Sequence, residues 1–433
     1  VEPVEILELF DKRATVIKPG LERITRAFDI IGWPARRTPC FVVAGTNGKG
    51  STCGFLFRLL AAAGIRVGMF SSPHLIEFRE RFSISDADVS NAILVNHIKN
   101  IKKMLPETLW AELTFFEINT LLAARVFDEF QTDVNVWEVG LGGRLDCVNV
   151  FDADVAIITS IGLDHQEYLG TTHGQIAQEK AGIMRPGKPI VWGGVGSSER
   201  EAHDTILDCA KKIGANVILS KKHEIGPPSK LLAHYPSFLL NNFHTAMTAL
   251  DVFADSGACS KLSRGSLSKA VADFDKPQLP WPVTLNGRFE LITVQKGDVR
   301  QDLLIDVCHN PHGARALNHA LEETGVVPFG SKRPCLISVL SDKDASGIWA
   351  EIRGKISEVI RFKIPSSRSW HEQDHRIEGP MMESFQSAWD LALSRKSWQT
   401  QSPWLIFGSV AAVGDVLSYF RSDGWSVVRK VRD

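Results

Sequence analysis

Along most of the chain, short apolar runs rich in β-branched residues alternate with longer stretches in which apolar residues recur every three or four positions. Cys40–Val43, Arg66–Phe70, Val134–Val139, Val155–Ser160, Pro189–Trp192 and Asn216–Leu219 are runs of the first kind and predict strands. The stretches between them predict helices. In Thr114–Phe130, Phe115, Ile118, Leu122 and Val126 share one helical face, and a helical pattern follows from Ser51 to Ala63. Near-continuous apolar strands separated by helices predict a parallel sheet covered on both faces. The region before residue 40 reads as mainly helical, packed against that core.

The alternation resumes near residue 302. Leu303–Val307, Leu336–Leu340, Val359–Ile364 and Trp404–Phe407 predict strands, with helices including Ala314–Glu323 and Val410–Phe420 between them. The polar segment Gln295–Gln301, with Lys296-Gly297-Asp298 at its centre, reads as a linker, and a hinge is expected over 288–300. The Pro-rich Pro277–Trp281–Pro282 marks a surface turn before it. The expected architecture is α/β in two domains, residues 1–296 forming a parallel-sheet domain and 297–433 a smaller, Rossmann-like α/β domain. No solenoid repeat, heptad pattern or low-complexity tract interrupts this reading.

Composition narrows the class. The 433 residues carry a net charge of −1, with 44% hydrophobic and 23% charged residues. That balance gives no broad grip on nucleic acid or an anionic membrane. No apolar run approaches the ~20 residues that span a bilayer. Glu2, Glu5 and Glu8 do not suit a signal peptide. Seven scattered cysteines without a Cys-x-x-Cys pair read as reduced, buried residues of a cytoplasmic protein.

Candidate chemistry sits at predicted strand ends, where α/β proteins place ligands. Gly45-Thr46-Asn47-Gly48-Lys49-Gly50-Ser51-Thr52 follows an apolar strand and opens a helix, which makes an anion cradle of backbone N–H groups and helix dipole. Lys49 adds a full positive charge, and the Ser51 hydroxyl can ligate the metal that accompanies ATP. Gly50 separates Lys49 from Ser51, so the loop varies the usual phosphate-loop pattern. Glu138, before Gly140-Leu141-Gly142-Gly143-Arg144, is placed either to hold Mg²⁺ or to pair with Arg144. Asp164-His165 suits metal or phosphate, or else a loop turn with a local hydrogen bond. Lys180, inside a helix expected to end near Gly187, reads from composition as a solvated surface charge. His371 and His375, four apart, fit a surface loop better than a metal site, because no third ligand accompanies them. The tryptophans at 110, 137, 281 and 404 read as core or hinge packing.

The loop 45–52 resembles the nucleotide loop of the Mur ligase superfamily of ATP-dependent amide ligases, and within it the folylpolyglutamate synthase and dihydrofolate synthase family. Further signatures match in order: Ser71-Ser72-Pro73-His74-Leu75 with Glu80-Arg81, Thr114-Phe115-Phe116-Glu117, Glu138 through Asp146, Leu163-Asp164-His165, and Glu179-Lys180-Ala181-Gly182-Ile183. Gly287-Arg288-Phe289, Asp306 through Pro311, Asp342-Lys343-Asp344 and Gly408-Ser409 continue the series, so the resemblance spans about residues 20 to 415.

The resemblance implies that residues Thr46 to Thr52 (Thr46, Asn47, Gly48, Lys49, Gly50, Ser51, Thr52) bind ATP. It implies that Ser51, Glu138 and His165 hold two Mg²⁺ ions, and that Ser72 lies near the second ion and the acyl substrate. Lys180 is implied to be carbamylated and to act as a metal ligand. Arg288 and His309 are implied to meet phosphates and Asp306 the ribose, while Asp146 meets a pterin ring. Pro73, His74 and Ser409 join the substrate set, and Lys49, Lys180 and His309 the catalytic one, with His309 as a base or a phosphate ligand. Two departures stand out. Asp146-Cys147-Val148-Asn149 replaces the family's Asp-Ala-Thr-Asn, and Thr245 stands where an adenine-contacting Asn is usual, with Asn241 or Asn242 one turn earlier.

The activity implied is ligation of L-glutamate to dihydropteroate and to the glutamate tail of folates, through an acyl phosphate made from ATP. The motif versions resemble bacterial bifunctional enzymes; a monofunctional folylpolyglutamate synthase is the alternative. About 40 residues precede the loop, too few for the extra N-terminal domain of other Mur-type ligases. A P-loop switch without ligase activity would need neither Lys180 nor a second domain bearing Asp306 and His309. A monomer is expected, with no nucleic-acid or membrane partner.

Overall fold

The computed structural model describes residues 17–33, 35, 37–194, 200–223, 230–280, 282–328, 330–370, 377–399 and 403–429. The expected surface loop with His371 and His375, and Trp281, lie outside the described residues. The chain divides into two compact units, one comprising Val1–Ser229 and Asn241–Thr284, the other Lys230–Leu240 and Leu285–Asp433.

In the first unit, seven strands form one sheet: β1 (Cys40–Ala44), β2 (Val67–Phe70), β3 (Phe82–Ile84), β4 (Val134–Glu138), β5 (Val155–Ile158), β6 (Pro189–Trp192) and β7 (Asn216–Leu219). Their order is β3-β2-β4-β1-β5-β6-β7, parallel except for β3. Every residue of β1, β2, β4 and β5 is buried, as helices over both faces require. From β1 the chain runs outward to β2 and β3, returns to β4 on one side of β1, then passes to β5 on the other. This reversal places the loops after β1, β4 and β5 side by side, since Val43 pairs with Glu138 and Ala44 with Ile158. The expected helix is present as Phe115–Glu129, started by a capping box of Thr114 and Glu117. The helix Glu22–Ile31 buries Ile24, Ala27, Phe28 and Ile31, as the reading of that region anticipated.

The second unit holds β8 (Glu290–Lys296), β9 (Val299–Asp306), β10 (Arg333–Ile337), β11 (Ile356–Phe362), β12 (Met381–Met382), β13 (Trp404–Phe407) and β14 (Ser426–Arg429). Their order is β12-β11-β10-β13-β9-β8-β14; β12 to β9 run parallel, while β8 lies antiparallel to both β9 and β14.

Here the expected boundary fails. Gln295–Gln301 is no linker: Lys296 pairs with Val299, and Gly297-Asp298 is the two-residue turn of the β8–β9 hairpin, with Gly297 at φ 57°. A Lys-Gly-Asp-Val sequence has the polarity of a linker and the turn chemistry of a hairpin. The partition falls at Thr284–Leu285 instead, with Lys230–Leu240 also in the second unit, so the boundary expected at 296/297 is corrected; β8 and β9 occupy most of the segment 288–300.

Arg58 anchors one corner of the first unit. On the buried face of the helix Lys49–Ala62, its guanidinium donates to the carbonyls of Phe274, Lys276, Leu279 and Pro280 at 2.6–3.1 Å. Arg58→Met leaves those carbonyls without their donor, a loss of about 3 kcal/mol or more. Calorimetry should find that unit melting roughly 6–12 °C lower; an unchanged midpoint would show that water replaces the guanidinium.

Candidate active site

The loop 45–51 is tied to the segment after β5 before any ligand arrives. Thr46 donates its backbone N–H to the Ser160 carbonyl at 2.7 Å, and its hydroxyl exchanges hydrogen bonds with Gly162 at 3.0 Å. Thr159 Oγ1 donates to the Asn47 carbonyl at 2.6 Å, while Asn47 N–H donates to Ser160 Oγ at 3.1 Å. Gly45 is required, because a Cβ there would collide with the Thr159 hydroxyl. The Thr46 side chain is thus a brace of the loop. Thr159 was missed in the sequence, where it reads only as the end of an apolar strand.

Lys49 opens the helix, and its Nζ folds back onto the Gly45 and Thr46 carbonyls at 3.0 and 3.3 Å. Ser51 and Thr52 lie buried in the first helical turn, with Gly48 and Gly50 beside them. Gly48 adopts φ 88°, and a Cβ there would stand 2.5 Å from Asn242 Oδ1, so Asn242 packs on the loop. Thr245 is buried and donates to the Asn241 carbonyl at 2.8 Å.

Glu138, last residue of β4, is 3% exposed and accepts from Ser72 N–H at 3.0 Å. Arg144 pairs with Glu179 at 2.8 Å, so the Glu138–Arg144 pairing is not formed. The Ser72–Pro73 bond is cis. His74 Nδ1 accepts from Arg81 Nε at 2.8 Å, and burial with the adjacent guanidinium pushes its pKa down to about 3. His165 sits at φ 51°, and its N–H donates to Asp164 Oδ1 at 2.9 Å, the local turn its sequence also allowed. Non-glycine residues in that region are held by their surroundings and cluster at functional sites.

Lys180 reverses the surface reading. It is 3% exposed, on the helix His173–Ala181, and its Nζ donates to the Gly45 carbonyl at 3.0 Å. The helix ends there rather than near Gly187. Two glycines bring Lys180 under the loop: a Cβ on Gly143 would stand 2.9 Å from the Glu179 and Lys180 carbonyls, and one on Gly182 would collide with Arg144. Burial, reinforced by Lys49, pushes the Lys180 pKa down to about 7 against the pull of Asp164 and Asp146.

Asp146 is the loop's internal clamp. Its carboxylate accepts the N–H groups of Gly140, Leu141 and Val148 at 2.9–3.0 Å, while burial pushes its pKa up to about 6. It also borders a cavity of about 330 Å³ whose lining includes Ser72, Pro73, Thr114, Phe116 and His165.

In the second unit, Asp306 accepts from Phe289 and Cys308 N–H groups, both at 2.8 Å, and burial raises its pKa. Phe289 stands at φ 48°, beside Arg288. His309 Nδ1 lies 3.1 Å from the Val307 carbonyl, so that nitrogen carries a proton in the bond. Ser409 is buried, and its hydroxyl caps the helix Val410–Ser422 by accepting from Ala412 N–H at 3.0 Å and donates to the Ser338 carbonyl.

Among the described residues, no three His, Cys, Asp or Glu side chains converge as a metal cage. The first unit instead offers a serine hydroxyl, a buried carboxylate and an imidazole at neighbouring strand ends. Those donors fit a hard divalent cation that takes its other ligands from phosphate and water. Among the same residues no helix is long and apolar enough to cross a membrane, and all seven cysteines are free.

No model of a known protein family matches the chain. The dihydrofolate synthase/folylpolyglutamate synthase of Escherichia coli strain K12 is 32% identical over 419 residues, covering 94% of this chain and 93% of that protein. The structure of E. coli FolC in complex with DHPP and ADP superimposes with a TM-score of 0.78 at 29% identity, over 97% of this chain and 98% of that one. The Yersinia pestis bifunctional folylpolyglutamate synthase/dihydrofolate synthase complexed with AMPPNP and Mn gives 0.77 at 30% identity, over 96% and 97%.

The depressed Lys180 pKa has a signed consequence. Its folded value near 7 lies below the ordinary 10.5, so between these the folded protein binds fewer protons than the unfolded one. Stability contributed by this group therefore rises with pH across that window. In CO₂-free buffer the parent should gain on the order of 2 kcal/mol over Lys180→Met between pH 7 and 9. Parallel denaturation curves for the two proteins would place a charged lysine at this site.

Proposed function

The chain belongs to the dihydrofolate synthase/folylpolyglutamate synthase family, and from that premise we propose how its residues carry out ATP-dependent ligation of L-glutamate. The acceptors are dihydropteroate, giving dihydrofolate, and folates that already bear glutamate. The observation that carries this reading is the convergence of the Lys49 loop, Glu138 and Asp164-His165 on three adjacent strand ends, with the Lys180 amine buried among them.

A carboxylate resists attack by an amine, so its oxygen first takes the γ-phosphoryl group of ATP, and ADP leaves with the electron pair of the broken P–O bond. The N–H groups of residues 46–52 orient the phosphates, and Lys49 leaves the Gly45 and Thr46 carbonyls to neutralise them. Two Mg²⁺ ions, when bound, supply the remaining positive charge and hold the reacting phosphate. Ser51, Glu138 and His165 would hold them, with Ser72 near by. The amine of L-glutamate then attacks the acyl phosphate carbonyl, the amide C–N bond forms, and inorganic phosphate leaves with the former C–O bond. The attacking amine gives up a proton, and His309 is the base for it or a ligand of the phosphate. Arg288 adds charge to the phosphates and Asp306 takes the ribose. Pro73, His74 and Asp146 border the acceptor.

Lys180 is carbamylated by CO₂. A neutral amine attacks CO₂ where an ammonium does not, and the pKa near 7 supplies that amine at neutral pH. The product is an anion able to ligate metal. The enzyme works as a cytoplasmic monomer.

A phosphate-release assay with MgATP and L-glutamate tests the reaction. Release with both dihydropteroate and tetrahydrofolate is expected, and release with only one makes the enzyme monofunctional. Lys180→Ala should cut turnover about 100-fold or more. ¹³C-bicarbonate should give the parent, and not the variant, a carbamate signal. Near-parent turnover in Lys180→Ala would remove the carbamate from the mechanism.

A further inference from the structure

Strand β5 consists of buried apolar residues, Val155–Ile158, and Thr159 follows with a hydroxyl where that run would continue with valine. Thr159 is 5% exposed, and a hydroxyl buried that far is costly unless it is bonded. Its bond goes to a carbonyl 112 residues earlier in the chain: Oγ1 donates to Asn47 at 2.6 Å, with the Ala44 carbonyl farther off at 3.3 Å. Two glycines pack against the residue. A Cβ on Gly45 would collide with the hydroxyl, and one on Gly193 would stand 2.9 Å from the Thr159 carbonyl.

The Asn47–Gly48 peptide can turn over unless something holds it. Gly48 sits at φ 88°, and glycine takes either sign of φ without steric penalty. A trans peptide sets its N–H opposite its carbonyl. Drawing the Asn47 carbonyl onto Thr159 therefore turns the Gly48 N–H to the far side. The Ser160 hydroxyl, 3.0 Å from the same carbonyl, holds it as well. Turned over, this peptide would present the partial negative charge of its carbonyl in place of an N–H, which repels an anion in the loop.

We propose that Thr159 is a positioning residue for the nucleotide: its hydroxyl locks the Asn47–Gly48 peptide with the N–H toward the phosphates and the carbonyl away from them. This rests on the nucleotide loop of the proposed function and adds to it a residue that acts through Asn47.

Thr159→Val removes the hydroxyl at nearly constant volume, and Thr159→Ser keeps it. Calorimetric titration of the full chain with MgADP reads the loop without requiring ligation. Thr159→Val should bind about 10-fold more weakly than the parent, the upper range for one hydrogen bond, and Thr159→Ser should stay within about 3-fold. In steady-state ligation Thr159→Val should raise KM for ATP by a similar factor and leave KM for L-glutamate within about 2-fold of the parent. A role confined to packing would lower the melting midpoint of Thr159→Val and leave its MgADP affinity at the parent's value, which would overturn the assignment. So would a Thr159→Ser variant as weak as Thr159→Val, or KM values for ATP and L-glutamate that rise together. Should Thr159→Val lose cooperative melting, Thr159→Ala carries the same comparison with Thr159→Ser. Unchanged affinity in the variants removes Thr159 alone, whereas a parent that binds no MgADP overturns the nucleotide loop as well.

Discussion

A lysine amine held 3.0 Å from the Gly45 carbonyl, with almost no access to water, is the constraint around which the first unit is organised. An ammonium there loses its hydration and sits near Lys49, so the Lys180 pKa is pushed down to about 7 and the neutral amine becomes accessible at neutral pH. The features that create it are geometric. Gly143 and Gly182 let the loop after β4 and the helix His173–Ala181 approach at backbone contact, which slides Lys180 beneath the phosphate loop. The strand order β4-β1-β5 brings the remaining polar groups to the same edge.

The loops themselves are rigid for a related reason. Their polar groups bond mostly to one another: Thr46 to Gly162, Thr159 to Asn47, Ser72 to Glu138 and Asp146 to three N–H groups of its own turn. Several residues that a motif marks as ligands therefore also serve as braces. A preorganised loop exposes its remaining N–H groups in fixed directions and does not reorganise when charge develops on a phosphate. The exception is Lys49, whose Nζ rests on loop carbonyls and has its flexible stem to swing outward.

Legibility in the sequence followed burial. Pro189–Trp192 and Trp404–Phe407 match their strands end to end, and the other core strands differ by a few residues, because a short apolar run inside a sheet has few other ways to be satisfied; Asn216–Leu219 also matches, on its Val-Ile-Leu run, though none of its four residues is buried. The strands β3, β8, β12 and β14 went unread. β3 and β12 are short edge strands and β14 is an edge strand exposed along its whole length, whereas β8, seven residues long inside the sheet, was lost because its polar end was read as part of the linker. The Lys296-Gly297-Asp298 turn was mistaken for a linker because polarity cannot tell a hairpin tip from an open connection. For the site, motifs located Lys49, Glu138 and Lys180, but composition alone put Lys180 on the surface, since helical periodicity does not reveal which face a neighbour covers. Ser409 was legible as a motif residue and illegible as a cap, because a Ser before a helix serves either role.

Under the proposed function, this edge receives a magnesium-bound triphosphate over a carbamylated Lys180. A crystal structure with magnesium and a non-hydrolysable ATP analogue, grown in the presence of bicarbonate, is the most direct measure of this arrangement. The expected density has the phosphates along the N–H groups of residues 46–52, Lys49 Nζ turned from its loop carbonyls onto them, and a carbamate on Lys180 beside the metal. A bare Lys180 amine still resting on the Gly45 carbonyl, or phosphates bound away from this loop, would contradict it.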